Sequence, residues 1–185
     1  MMIRPATLTA LILLAALSRL LPHPPNFAPI TAMAVFGAVR YLDRRAAVLA
    51  PLLALLVSDL VREALYRAGL VDQWGLYPGM WSVYGATALV AIFARMARST
   101  RSPIALATVT LGGSCLFFVL TNLAYWAEGS LYPRTAEGLT ACFAAAIPFF
   151  RNALLGDVFY ATALFGAWGL AESRVPALRQ SVAAA

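Results

Sequence analysis

Asp59, Asp157, Arg19, Arg151, Asn122, Asn152, Tyr84 and the single histidine, His23, interrupt runs that are otherwise apolar. Polar groups inside membrane-like apolar segments are costly, so each is by default a functional candidate. Carboxylates, guanidiniums and amides of this kind suit recognition by hydrogen bonds and charge. They do not form a catalytic set. There is no HExxH, GxSxG or Walker loop. The only His stands in the proline-rich run His23-Pro24-Pro25, and no carboxylates pair at metal-ligand spacing. The expectation is a binding protein with no cofactor of its own, not an enzyme.

The elements that must position these groups follow from composition. The chain has 185 residues, 62% hydrophobic and 12% charged, with a mean hydropathy of +0.77. Soluble domains carry about a quarter charged residues. A soluble chain of this length could not cover so much apolar surface. A soluble enzyme, a disordered chain and a nucleic-acid binder are therefore excluded. The expectation is one all-α integral membrane domain over 1–185, with six transmembrane helices at about 5–22, 29–42, 46–66, 80–97, 103–126 and 148–171. The lipid bilayer is its first partner. Each span needs about 20 mainly apolar residues, so the second is short. The breaks fall at His23-Pro24-Pro25-Asn26, Tyr77-Pro78-Gly79 and Pro103, where proline removes an N–H and restricts its predecessor. Residues 135–147, with Leu139, Phe143, Ala146 and Ile147 on one face, read as a separate interfacial helix, and Pro148 as the first turn of the sixth span.

All 14 basic residues are Arg. Arg4, Arg40, Arg44, Arg45, Arg95, Arg98, Arg101, Arg174 and Arg179 fall on one side of the expected spans, and Arg62, Arg67 and Arg134 on the other. Cytoplasmic loops collect Arg, so both termini are expected in the cytoplasm of a bacterial inner membrane. Arg4 and the apolar run after it resemble a signal peptide, but Arg19 interrupts the end of the run, and it reads as a retained helix. Cys115 falls in the middle of the fifth helix and Cys142 between the fifth and sixth, too far apart in depth for a disulfide.

At 1.5 Å of rise per residue, Asp59 lies roughly 10 Å below the outer boundary. Tyr84, Asn122, Arg151, Asn152 and Arg19 lie within about a turn of it, and Asp157 near mid-membrane. Trp74, Tyr77, Trp81, Tyr125, Trp126 and Tyr132 surround the same depth, while the inner half is nearly all Ala, Leu and Val. This asymmetry fits a cavity open to the outside and closed inside. The candidate ligand contacts are His23, Asn26, Asp59, Trp81, Tyr84, Asn122, Trp126, Arg151 and Asn152. Plainer roles stand beside these. Asp59 can pair with Arg19 or Arg151, the asparagines can bond between helices, and the aromatics can form an interfacial belt.

Several segments occur together: Arg19-Leu20-Leu21-Pro22-His23-Pro24-Pro25-Asn26-Phe27, Ser58-Asp59, Trp81-Ser82-Val83-Tyr84-Gly85, Thr121-Asn122-Leu123-Ala124-Tyr125-Trp126 and Ala146-Ile147-Pro148-Phe149-Phe150-Arg151-Asn152. Together they resemble the S-components, the substrate-binding subunits, of energy-coupling-factor (ECF) vitamin transporters. The likeness is greatest to the solitary vitamin B12 transporter family, BtuM. The resemblance covers nearly the whole chain. It implies a six-helix S-component bundle with a cobalamin pocket on the outer side, to which His23, Asp59, Tyr84 and Arg151 contribute. It implies cobalamin or a precursor as transported ligand, with any ATP coupling supplied by separate ECF coupling and ATPase subunits. That family carries a cysteine near the start of helix four as cobalt ligand. Here Gly79-Met80-Trp81 stands in its place. A thioether cannot become a thiolate, so thiolate-type removal of cyanide is not expected. Met80 is a soft candidate axial ligand and His23 the alternative. Two other functions remain open: the same fold with another vitamin or small metabolite, and a structural or assembly membrane protein.

Overall fold

A computed structural model describes residues 3–129 and 131–179. Over these residues the chain is all-helical, with six α-helices: α1 (Ile3–Ser18), α2 (Ile30–Arg40), α3 (Arg44–Arg67), α4 (Met80–Ala94), α5 (Pro103–Glu128) and α6 (Ala136–Arg174). Short 3-10 turns follow α4 at Arg95–Ala97 and α6 at Pro176–Leu178.

The starts of the helices are written locally. Asp43 caps α3 by accepting from the Ala46 N–H at 2.7 Å. Ser102 precedes Pro103 and caps α5, and Thr135 caps α6 through the Gly138 N–H. These side chains satisfy amides that the first turn leaves without partners. Gly79 precedes α4 at φ +78°, a left-handed conformation that glycine adopts without steric cost.

Two boundaries differ most from the sequence expectation. The first helix ends at Ser18, not residue 22. Arg19, Leu20 and Leu21 donate to the carbonyls three residues back. Pro22 disfavours helix in the residue before it, so the last turn tightens to 3-10 geometry. The second difference is larger. The expected interfacial segment 135–147 and the span 148–171 are one continuous helix of 39 residues with Pro148 inside it. Proline removes one backbone bond, but the run Thr140-Ala141-Cys142-Phe143-Ala144-Ala145-Ala146-Ile147 contains no glycine or turn residue to end the helix. Cys142 accordingly sits within α6, buried, with Sγ 3.8 Å from the Asn122 carbonyl. At 1.5 Å per residue α6 is about 58 Å long, well beyond the roughly 30 Å apolar thickness of a bilayer.

The short helix α2 is the axis of the bundle. Every residue from Thr31 to Val39 is buried, and α1, α3, α4, α5 and α6 all pack on it. Phe36 and Met33 meet Leu8, Ile12, Leu164 and Trp168 on one side. Val35 and Val39 meet Val90, Ala94 and Val109 on the other. The C-terminus of α2 is tied down by arginines. Arg95 donates to the carbonyls of Ala38 at 3.0 Å and Tyr41 at 2.7 Å, and Arg4 to that of Arg40 at 3.1 Å. Cations at a helix C-terminus satisfy its free carbonyls and oppose its dipole. Glu172 gathers Arg4 and Arg101 at 3.3 and 3.4 Å. This end of the bundle is solid and basic.

The outer faces of the helices are apolar. Leu14, Leu53, Ile92, Ile104, Ile147 and Phe159 are all more than half exposed. Apolar surface on this scale marks a membrane-facing or interaction surface. The segments Met80–Ala97, Pro103–Glu128 and Ala136–Arg174 are long and apolar enough to cross a membrane. α1 and α2 are shorter, and α3 carries Asp59, Arg62 and Glu63 near its end.

Candidate functional site

At 11 residues, α2 is only about 16 Å long. Its neighbours α3, α5 and α6 run on past its N-terminus, and a cavity of about 880 Å³ occupies the space beyond it. The floor is the start of α2, with Ile30 and Thr31, together with Ser114 of α5 and Asp157 of α6. One wall is aromatic, made by Phe117, Phe118, Phe149 and Phe150; the Phe118 and Phe150 ring centroids are 4.3 Å apart. Another wall is basic, with Arg19 and Arg62. The non-helical link 19–29 and the loop 68–79 close the sides. Leu21, Pro22, Asp72 and Gln73 line the cavity yet are exposed, so it opens to the surface there.

Asp157 is 3% exposed. Its carboxylate accepts from the Ser114 hydroxyl at 2.7 Å and from the Ala32 N–H at 3.3 Å. Pro29, at the N-cap of α2, offers no side-chain cap. Asp157 therefore caps α2 from a neighbouring helix, and its charge opposes the positive end of the helix dipole.

Behind the basic wall lies an ion pair. Arg19 and Asp59 are 2.7 Å apart with side chains 5% and 1% exposed. Arg19 also donates to Ser58, and the Tyr84 hydroxyl donates to Asp59 at 2.8 Å. Arg62 donates to the Arg19 carbonyl at 2.6 Å. Tyr77, in the loop, also lines the cavity. Burial and the nearby Asp59 charge push its phenol above the ordinary range.

The loop 68–79 reaches this position through Gly75. A Cβ there would lie 1.8 Å from the Asp59 carbonyl oxygen. The Gly75 and Leu76 N–H groups donate to Glu63 at 3.1 and 3.2 Å. Gly75→Ala is expected to push the loop off α3 and lower stability by about 1–3 kcal/mol. Gly85→Ala, at a helical position with open space around it, is expected to cause no loss. Thermal denaturation of the two purified variants checks this, and equal behaviour would contradict the close approach.

The residues expected from sequence to form the site fall into separate groups. His23, Asn26 and Asn122 line the cavity. Both His23 ring nitrogens face carbonyl oxygens, of Pro24 at 2.9 Å and Arg19 at 3.2 Å. The Asn122 amide donates along its own helix to Phe118. Asp59 and Tyr84 stand behind the lining, where Asp59 pairs with Arg19 and the Tyr84 hydroxyl donates to Asp59. Asn152 donates to the Pro25 carbonyl at 3.0 Å and Trp126 to that of Pro133 at 3.0 Å, so each ties a linking segment to a helix. Arg151 is exposed. Trp81 is 75% exposed and stacks on Tyr84 at 5.9 Å. Met80 is 7% exposed and is not among the described residues that line the cavity. No cluster of three His, Cys, Asp or Glu that could hold a metal ion occurs among the described residues.

Sequence reasoning singled out Asp157 without giving it a role, and did not assign Thr31, Arg62, Ser114 or the four phenylalanines to the site. Helical spacing carries most of the missing signal. Ser114, Phe118 and Asn122 are four apart on α5, as are Phe149, Ala153 and Asp157 on α6. Residues at that spacing share a face. A family model described as "Family of unknown function (DUF6580)" matches residues 1–178, which places the chain in that family. No curated protein and no solved structure matches it.

Proposed function

For this member of DUF6580 we propose a substrate-binding integral membrane protein that takes up vitamin B12 or a corrinoid precursor from the outer side. In this reading all six helices form an S-component-like bundle in the inner membrane, with both termini in the cytoplasm. The observation that carries it is the cavity: about 880 Å³, open at one end of the bundle and stopped at the other by the packed helix α2. Ligand sites run to roughly 300–1,000 Å³ and are mostly apolar with a few placed polar groups. A corrin is a wide apolar disc edged with amides. The four phenylalanines suit the disc, and Asn26, Thr31, Ser114, Thr121, Asn122 and Asp157 suit the amide rim. The solid end carries Arg4, Arg40, Arg95 and Arg101, which supports its placement on the cytoplasmic side. In α3, whose charges keep it from reading as a simple span, Asp59 is neutralised by Arg19.

A second reading keeps the fold and changes the ligand to another vitamin. The position of Met80 outside the lining favours it, because of the two candidate cobalt ligands only His23 lines the cavity. Uptake decides between them. Expression in a bacterium without its own B12 importer, with and without coupling-factor subunits, is expected to restore growth on trace cobalamin. Protein present in the membrane with no growth in either background would contradict the corrinoid reading.

A further inference from the structure

The basic wall holds more positive charge than its partners use. Arg19 is 6% exposed, and one arm of its guanidinium is spent on Ser58 and Asp59. Its Nε is buried without a partner, and its Nη2 makes no hydrogen bond among the described residues. Arg62, half-buried beside it, spends only Nη2, on the Arg19 carbonyl. Its Nε and Nη1 have no partner among the described residues. Asp59 offsets one of the two charges. Asp72 and Asp157, the carboxylates of the lining, form no ion pair with either arginine among the described residues. Uncompensated charge at a partly buried wall is unfavourable unless a counter-charge arrives. Unspent N–H donors on two adjacent guanidiniums match the oxygens of a phosphate ester, which guanidinium binds through several parallel charge-assisted bonds.

We infer that Arg62 and Arg19 form an anion subsite of the cavity, built for the phosphate of a corrinoid's nucleotide tail. This rests on the corrinoid reading. The amide side chains of the corrin are neutral, and the phosphate is the tail's one anionic group. The subsite adjoins the exposed loop 68–79, so the disc would lie deeper, over the floor, with the tail toward the mouth.

Three probes test this on the full-length protein in detergent: cobinamide, which lacks the phosphate; cobinamide phosphate, which has it without the base; and cobalamin. The wild type is expected to bind cobinamide phosphate roughly ten- to a hundred-fold tighter than cobinamide, the worth of one or two charge-assisted hydrogen bonds. In Arg62→Gln that ratio falls toward one, whatever happens to cobinamide affinity itself. Should this variant fail to fold, Arg62→Lys keeps the charge without the fork, and the ratio should fall several-fold. Equal wild-type affinity for cobinamide and its phosphate, or a ratio unchanged by substitution, would overturn the subsite and leave the corrinoid reading standing. Failure of all three probes to bind would overturn that reading and the subsite with it.

Discussion

Arg19→Ala is expected to be among the most damaging single substitutions in this chain. It leaves the Asp59 carboxylate, 1% exposed, with only the Tyr84 hydroxyl as donor. Removing one partner of a buried ion pair costs about 3–5 kcal/mol, because the remaining charge stays desolvated. At roughly 2–4 °C per kcal/mol for a chain of this size, the unfolding temperature should fall by about 6–20 °C, or the protein should fail to accumulate. Arg19→Leu combined with Asp59→Leu should recover much of the loss, since no charge is then stranded. Thermal stability of the detergent-purified single and double variants reads this out. A single variant as stable as the wild type would show that the pair does not hold the α1 end to α3.

Asp157→Leu is the second large effect. It deprives the Ala32 N–H of its acceptor, while the Ser114 hydroxyl can still donate to the Thr110 carbonyl at 3.0 Å. An unsatisfied buried donor costs about 1–3 kcal/mol, so the floor should loosen by roughly that much. Asp157→Asn keeps an amide oxygen for the Ala32 N–H and should fold, with a smaller drop in unfolding temperature. If the leucine and asparagine variants lose equal stability, the capping role is wrong. If the asparagine variant folds and takes up ligand as the wild type does, the carboxylate serves the helix and not the cargo.

Much of this was legible in the residues because apolar composition makes each polar exception conspicuous. The prolines at 22, 24, 25 and 78 and the depth clustering of Arg19, Asp59, Tyr84 and Asn122 are local signals. What was not legible was pairing across the bundle. Asp59 reads equally as a ligand contact or as half of an ion bridge, because depth says nothing about which way a side chain turns. Its geometry with Arg19 settles that contact. Arg62 reads in the sequence as one of the outer-side arginines near the end of the third span. The cavity it lines is closed beside it by the loop 68–79, which Gly75 lets approach α3. Pro148 misled for the opposite reason. A proline marks a break only when its neighbours also disfavour helix, and the alanine-rich run before it does not. The arginines of the basic end show a further gap. Charge bias reads them as orientation signals, yet Arg4 and Arg95 also cap α2, the helix whose shortness makes room for the cavity.

The central claim is that this cavity holds a corrinoid. Titration of cyanocobalamin or hydroxocobalamin into the purified full-length protein, followed in the visible spectrum and by calorimetry, tests it most directly. The account predicts saturable one-to-one binding at micromolar concentration or tighter, weakened by Asn122→Leu on the cavity wall and little changed by Trp81→Ala on the exposed face. No heat and no spectral change at micromolar ligand, from protein that is folded and monodisperse, would contradict it.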